Sequence, residues 1–475
     1  MRRAKIVCTL GPAAETKDHL LGLIGAGMDV ARLNLSHGSH EEHLARYQAV
    51  RDAADELGRG VGILLDLQGP KIRTGRFKNG KETLVKGQTF VITIDDIEGD
   101  ADRVSTTFKG LPGDVRPGDM ILIDDGRISL RAESVTERDV ITVVVEAGVI
   151  SNNKGINLPG VAVSVPAMSE KDIDDLRWGI RTGVDIIALS FVRNAEDIVE
   201  VHKIMDEEGQ RLPVIAKIEK PQAVENLREI VEAFDGIMVA RGDLGVELPL
   251  EEVPLVQKLC VALAREAGKP VIVATQMLDS MITASRPTRA EASDVANAVL
   301  DGADALMLSG ETSVGEHPVL VVSTMARIIQ HVENEALDRL PVLPEETTTS
   351  TARAVSHAAT VLAQSVNASY LVAFTETGLS ARMMSRYRSQ TRILAFTTQP
   401  RTRSHLALVW GVETFLVGPV SHTDEMVQQV NESLLRINRA TVGEKVVLAA
   451  GLPPGQPGTL NGLRVMVLGR PQGGI

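Results

Sequence analysis

The sequence predicts an α/β protein: a (β/α)8 TIM barrel with an inserted small all-β domain and a C-terminal α/β domain. Three observations carry that prediction. Short apolar, β-branched runs alternate with helical patterns, as the βα units of a parallel sheet do, and there are eight of them. Their spacing breaks once, between the third and fourth runs, where alternation of single apolar and polar residues replaces the helical period. Beyond Leu340, a stretch rich in Pro, Glu and Thr (Pro341–Thr349) reads as a linker, after which strand and helix patterns resume.

The eight runs are Ala4–Leu10, Asp29–Leu35, Val61–Leu67, Asp185–Phe191, Pro213–Ile218, Gly236–Ala240, Pro270–Ala274 and Ala305–Leu308. Helices between them end on glycine, as Asp18–Ala26 does at Gly27 and Leu255–Ala267 at Gly268. A doubly wound open sheet would carry GxGxxG after its first strand, which is missing. A Walker A loop is missing too, because Gly268-Lys269 is followed by Pro270. The insertion, residues 70–163, holds the strand candidates Phe90–Ile94, Met120–Ile123 and Val140–Val145. Placed on a βα loop, it lies over the barrel's C-terminal face as a lid. The barrel then comprises residues 1–69 and 164–340, and the C-terminal domain 341–475. Strands of that last domain are expected at Tyr370–Phe374, Ile393–Phe396, Thr414–Val417, Val446–Ala449 and Val465–Leu468, with helices from about Thr351 and Asp424.

Composition narrows the partners. At 475 residues the chain suits about three domains of roughly 150 residues. Its net charge of −12 has the wrong sign for neutralising nucleic-acid phosphates. Two cysteines, Cys8 and Cys260, build no disulfide framework and fit a reducing compartment. The run after Met1-Arg2-Arg3 is broken by Thr9 and Gly11-Pro12, and no apolar stretch is long enough for a membrane helix. The expected setting is cytoplasmic, with neither a nucleic acid nor a membrane as partner.

Residues two apart on a strand share a face, and barrel active sites are built at the strands' C-terminal ends. Those ends carry Arg32, Asn34 and Ser36; Asp66 and Gln68; Lys217 and Glu219; Arg241, Gly242 and Asp243; Thr275 and Gln276; Ser309 and Glu311. Taken singly, Ser309 or Gln276 reads equally well as a solvent-facing or helix-capping residue. Together the set points to phosphoryl transfer. Glu219 and Asp243, from adjacent strands, suit Mg²⁺, while Arg32 and Lys217 supply positive charge for a phosphoryl group. By contrast, His40-Glu41-Glu42-His43 has its histidines three apart where the zinc motif HExxH needs four. It reads as an acidic helix start after Ser39.

The stretches Lys5–Pro12, Ala31–Gly38, Gly69–Gly75, Lys217–Glu219, Val239–Gly245, Ala274–Leu278, Arg286–Glu291 and Leu308–Thr312 together carry a resemblance, over nearly the whole chain, to the pyruvate kinase family. The resemblance implies transfer of the phosphoryl group of phosphoenolpyruvate to ADP, then protonation of the enolate to pyruvate. It also implies Mg²⁺, with Mn²⁺ as an alternative, and a homotetramer. By motif, Lys217 stabilises the transferring group, Arg32 grips the phosphate, and Glu219 and Asp243 hold the metal. Gly242, Asp243 and Thr275 take the substrate carboxylate; Thr275 and Ser309 are candidates for the proton route. Asn34, Leu35, Ser36, His37, Arg73 and, from the lid, Lys154 face the nucleotide.

One departure concerns K⁺. Many relatives read Asp-Thr-Lys-Gly-Pro-Glu, whereas this chain reads Asp66-Leu67-Gln68-Gly69-Pro70-Lys71. In the monovalent-cation region, formed with Asn34 and Ser36, Leu67 removes a hydroxyl ligand and Lys71 brings a tethered charge, so activity without K⁺ is expected. In the C-terminal domain Thr375, Thr377, Gly378 and Ser380 form a hydroxyl-rich turn before a helix, either an ordinary cap or a phosphate site. The resemblance favours an effector there. Glu376 opposes a second phosphate, which leaves a sugar monophosphate, AMP or no effector. Rival readings are a lyase acting through an enolate and a noncatalytic metabolite sensor. The lyase has no use for His37, Arg73 and Lys154, and the sensor none for Lys217 and Glu219.

Overall fold

The structure, a computed structural model, describes residues 2–161, 163–344, 350–453 and 460–469. Residues 345–349 of the expected linker lie outside the described residues. All eight barrel runs form strands: β1 (Lys5–Thr9), β2 (Val30–Asn34), β3 (Gly62–Asp66), β4 (Ile186–Leu189), β5 (Val214–Ile218), β6 (Gly236–Ala240), β7 (Val271–Ala274) and β8 (Ala305–Leu308). They close into a parallel barrel in sequential order, β8 returning to β1 with Lys5 beside Ala305.

Alternation along each strand sorts residues between two cores. Val7, Val30, Leu64, Ile186, Ala188, Ile215, Met238, Ile272, Ala274, Ala305 and Met307 fill the barrel interior. Their neighbours, such as Ile6, Leu33, Ile63, Ile187, Val239, Val273 and Leu306, meet the surrounding helices. Higher in the barrel the inward positions turn polar, with Thr9, Arg32, Asp66 and Glu219 all buried. Helix starts follow sequence signals: Ser39 and Glu42 form a capping box on helix His40–Glu56, the plain reading of the His-Glu-Glu-His segment.

Between β3 and β4 the chain builds a six-stranded and a two-stranded sheet around a core of their own, from Ile72 to Val161. The expected strands appear as Thr89–Thr93, Met120–Ile123 and Asp139–Glu146. Five others were not anticipated. Ile128–Val135 carries exposed Arg131 and Glu133 on its outer face, and Lys81–Leu84, Arg103–Ser105, Gly148–Ser151 and Ile156–Asn157 are too short for alternation to register.

The C-terminal sheet uses the five expected runs, β9 (Tyr370–Phe374), β10 (Arg392–Thr397), β11 (Val412–Leu416), β12 (Lys445–Gly451) and β13 (Leu460–Val467), in the order β11-β10-β9-β12-β13. Only β13 runs antiparallel. Helices cover both faces, and the strand order reverses between β9 and β12, where open α/β sheets place ligands.

The sequence held no sign of how this sheet joins the barrel. Ala407 and Leu408 pack onto the barrel's interior cluster. Beside them Asp304, just before β8, accepts hydrogen bonds from Trp410 N (3.0 Å) and Arg388 Nη2 (2.9 Å). Arg388 and Asp304 are both buried. Arg265 donates to the Arg386 carbonyl, and burial, with Arg388 nearby, pushes its guanidinium down to about 9. Removing one partner of a buried ion pair strands the other. Asp304→Ala is therefore expected to lose about 3–5 kcal/mol, read from urea midpoints, with Asp304→Asn losing less because it keeps an acceptor.

Candidate active site

Register assembles the site. Asn34 pairs with Asp66 across β2 and β3, Ala188 pairs with Asp66 across β4 and β3, and Lys217 pairs with Met238 across β5 and β6. Inward-facing residues of neighbouring strands therefore reach one rim. There Lys217 Nζ lies 3.0 Å from Glu219 Oε1, 3.3 Å from Asp66 Oδ1 and 2.7 Å from Ser190 Oγ. Arg32 donates to Asp66 Oδ2 at 2.7 Å and to Thr9 Oγ1 at 2.9 Å. Phe191 N donates to Glu219 Oε2 at 2.7 Å.

Burial opposes charge on Lys217, but Asp66 and Glu219 outweigh it and raise the ammonium above the ordinary lysine range. Burial also opposes the Asp66 carboxylate, yet Lys217 and Arg32 hold it below its ordinary value. Glu219 goes the other way: burial raises it by more than the attraction of Lys217 lowers it, and Asp243 adds a smaller repulsion. Asp243 stands in the first turn of helix Arg241–Glu247. Two carboxylates that repel one another at the ends of adjacent strands fit a divalent cation.

The rim is strained at β4 and β7. Phe191, Thr275 and Gln276 adopt φ of 56°, 70° and 53°, a region non-glycine residues occupy at a cost. Arg241 holds the β7 end, donating to the Thr275 carbonyl at 2.7 Å while both its terminal nitrogens bind Asp294 at 2.7 Å. The Thr275 hydroxyl accepts from Gly242 N at 2.7 Å and donates to the Ala274 carbonyl at 2.6 Å. Ser309 heads the short helix Gly310–Ser313 without capping it, leaving its hydroxyl for other use. Glu311 is not on the rim: the chain turns helical at Gly310, and the carboxylate is buried on the N–H groups of Leu278 and Ser309.

The nucleotide candidates fall into two groups. Asn34, Leu35, Ser36 and His37 form a turn at the end of β2, with Ser36 N on Asn34 Oδ1 and His37 N on the Asn34 carbonyl. Arg73 and Lys154 are neighbours in the inserted sheet region, Lys154 paired with Asp124 at 2.8 Å and Arg73 donating to the Asn153 carbonyl. No hydrogen bond or ion pair among the described residues joins the two groups. Lys71 lies against Gly155, not on Asp66, whose oxygens face Arg32 and Lys217. Leu67 is buried in the outer barrel core. In the C-terminal sheet, Thr375, Thr377 and Ser380 line a cavity of about 150 Å³ with Thr398 and Gly451. Gly378 N donates to Thr375 Oγ1, and Thr398 and Gln399 donate to Glu376.

Thr9 and Ser190 are the functional neighbours that sequence reasoning missed. Thr9 links Arg32 to the Leu308 carbonyl, and Ser190 links Lys217 to the Leu67 carbonyl. Both continue a period-two pattern, Val7-Thr9 and Ile186-Ala188-Ser190, that pointed to the rim.

This barrel and rim define a phosphotransferase: fixed cations for a phosphoryl group beside paired carboxylates. Residues 1–322 match the family described as pyruvate kinase, barrel domain, and residues 353–466 match pyruvate kinase, alpha/beta domain. Pyruvate kinases of Corynebacterium glutamicum and Mycobacterium tuberculosis are 57% and 54% identical to it, over 98% of this chain and 98% and 99% of theirs. A crystal structure of a pyruvate kinase from Cryptosporidium parvum superposes with a TM-score of 0.91 at 36% identity, covering 98% of this chain and 96% of that one. The chain belongs to the pyruvate kinase family, enzymes that transfer the phosphoryl group of phosphoenolpyruvate to ADP to give pyruvate and ATP and that generally use Mg²⁺.

Because Asp66 is held below the ordinary aspartate value of 3.8, the stability it confers is complete above that pH and is lost as pH falls through its lower folded value. Urea midpoints measured between pH 5 and pH 3 are expected to fall more steeply for the wild type than for Asp66→Asn.

Proposed function

We propose the following division of labour for the family reaction, and the observation that carries it is a Lys217 ammonium held charged between Asp66, Glu219 and Ser190. A lysine raised above its ordinary range cannot act as a base near neutral pH. Its contribution is electrostatic, a preorganised cation where negative charge builds on the transferring phosphoryl group. Arg32, fixed by Asp66 and Thr9, grips the phosphate from the other side. The N–H groups of Gly242 and Asp243 and the Thr275 hydroxyl take the substrate carboxylate. Glu219 and Asp243 are the residues to hold Mg²⁺, with Mn²⁺ as an alternative. Such a cation, when bound, neutralises phosphate charge and relieves the repulsion between the two carboxylates. Thr275 and Ser309 lie on the proton route to the enolate, as hydroxyls relaying through water.

Residues 70–163 act as a lid that carries Arg73 and Lys154 to a nucleotide seated on Asn34–His37, the Lys154–Asp124 pair opening as it closes. Lys71 serves in place of K⁺, supported by its tethered charge and by the apolar, buried Leu67. The Thr375–Ser380 cavity takes a monophosphorylated sugar or AMP, because Glu376 adds negative charge to its wall. The protein works in the cytoplasm as a homotetramer, a reading supported by Leu250, Leu255 and Leu259, exposed on and beside one barrel helix.

Pyruvate formation from phosphoenolpyruvate, ADP and Mg²⁺ in K⁺-free buffer tests this reading. The rate is expected to match that in KCl at equal ionic strength, and Lys71→Glu is expected to become K⁺-dependent; a large rise with K⁺ in the wild type rejects the role of Lys71. Lys217→Met is expected to lower kcat by about 100-fold or more, the scale of one lost transition-state donor.

A further inference from the structure

The His40-x-x-His43 segment has no part in the chemistry above, yet it bears on the Asn34–His37 turn, His43 directly and His40 through Asp175 and Lys171. His43 Nε2 lies 2.8 Å from the His37 carbonyl oxygen. A carbonyl only accepts, so Nε2 carries the proton. Burial holds this imidazole below the ordinary histidine range, and its Nδ1 is buried without a partner. His40 stacks on Trp178 with centroids 4.6 Å apart, and its Nε2 lies 2.7 Å from Asp175 Oδ1. The other Asp175 oxygen binds Lys171, which donates to the Leu35 carbonyl at 2.8 Å. Gly38 closes the turn at φ 82°, where a Cβ would meet Glu42 Oε2 at 2.7 Å and His43 Nε2 at 3.3 Å. Asp174 adds a third donor close to His40 and Asp175, but Lys171 already balances Asp175 and Trp178 covers the imidazole face, so the cluster is a brace and not a metal site.

We propose that Lys171, Asp175, His40 and His43 are positioning residues for the nucleotide, fixing the Leu35 and His37 carbonyls so that the turn Asn34–His37 is ordered before ADP arrives. This rests on the assignment of that turn to the nucleotide. Ordering a binding loop in advance removes its entropic cost from the binding step, so the brace acts on ADP and not on phosphoenolpyruvate, whose cations Arg32 and Lys217 are held by Thr9, Asp66, Glu219 and Ser190 and not by the brace.

Steady-state kinetics with each substrate varied in turn tests the brace. Lys171→Met is expected to raise KM for ADP about tenfold, the scale of one charge-assisted hydrogen bond, with KM for phosphoenolpyruvate within about twofold. Lys171→Arg, which keeps donor and charge, is expected to restore most of the ADP affinity. Trp178 emission, quenched or shifted on ADP addition, is expected to titrate at higher ADP in Lys171→Met. An unchanged KM for ADP, or an equal rise in both KM values, overturns the proposal. If Lys171→Met does not fold, His43→Leu against His43→Gln, which keeps a donor, carries the same comparison. Asn34→Ala in the same assay separates the two levels of inference: a raised ADP KM there beside an unchanged one in Lys171→Met overturns the brace alone, and no change in either overturns the nucleotide assignment with it.

Discussion

The arrangement of the catalytic rim depends on one ammonium group. Lys217 is taken out of water and keeps its charge only because Asp66 and Glu219 face it. Asp66 in turn is ionised because Lys217 and Arg32 flank it. The cluster is thus a mutual arrangement in which no member is stable in its charge state alone. Thr9 and Ser190 complete it by tying each cation to a main-chain carbonyl of a neighbouring strand. Such an arrangement is costly to assemble in a low-dielectric site, and it leaves the charges fixed in place in advance, as the proposed role in phosphoryl transfer requires.

A parallel barrel makes this affordable in geometric terms. Period-two alternation sends every second side chain inward, and the interior divides along its axis into an apolar lower part and a polar upper part. The lower part is sealed by Ala407 and Leu408 from the following domain. The upper part holds Thr9, Arg32, Asp66 and Glu219. Strain is confined to the open end, at Phe191, Thr275 and Gln276, where Arg241 and Asp294 hold the backbone of β7.

The fold was legible where a repeating period wrote it. All eight barrel strands and the five of the last sheet follow from runs of Val, Ile, Leu and Ala, while the short strands of the insertion, two to four residues long in several cases, do not fill one period. The rim residues were legible through their positions at strand ends, but spacing alone misplaced Glu311, because a helix begins between it and Ser309. What no local pattern discloses is contact between distant segments. Asp304 reads as an ordinary residue ahead of a strand, and only the folded chain brings Arg388 and the Trp410 N–H to it. The same holds for Lys171 and Leu35, and for Lys154 and Asp124.

The plug at the barrel's base bears on how the chain can be divided. Ala407 and Leu408 come from the C-terminal sheet region, yet they sit on the same apolar cluster as Val7, Leu64 and Ile215. A polypeptide ending at Leu340 would leave that cluster open to water and Asp304 without its cation. The family's two named modules are separable as sequence patterns, but they share one apolar cluster and one buried ion pair. Gene fusions or exchanges that swap one C-terminal module for another must therefore preserve the short segment around Leu406–Trp410, whatever else they alter in the cavity lined by Thr375 and Ser380.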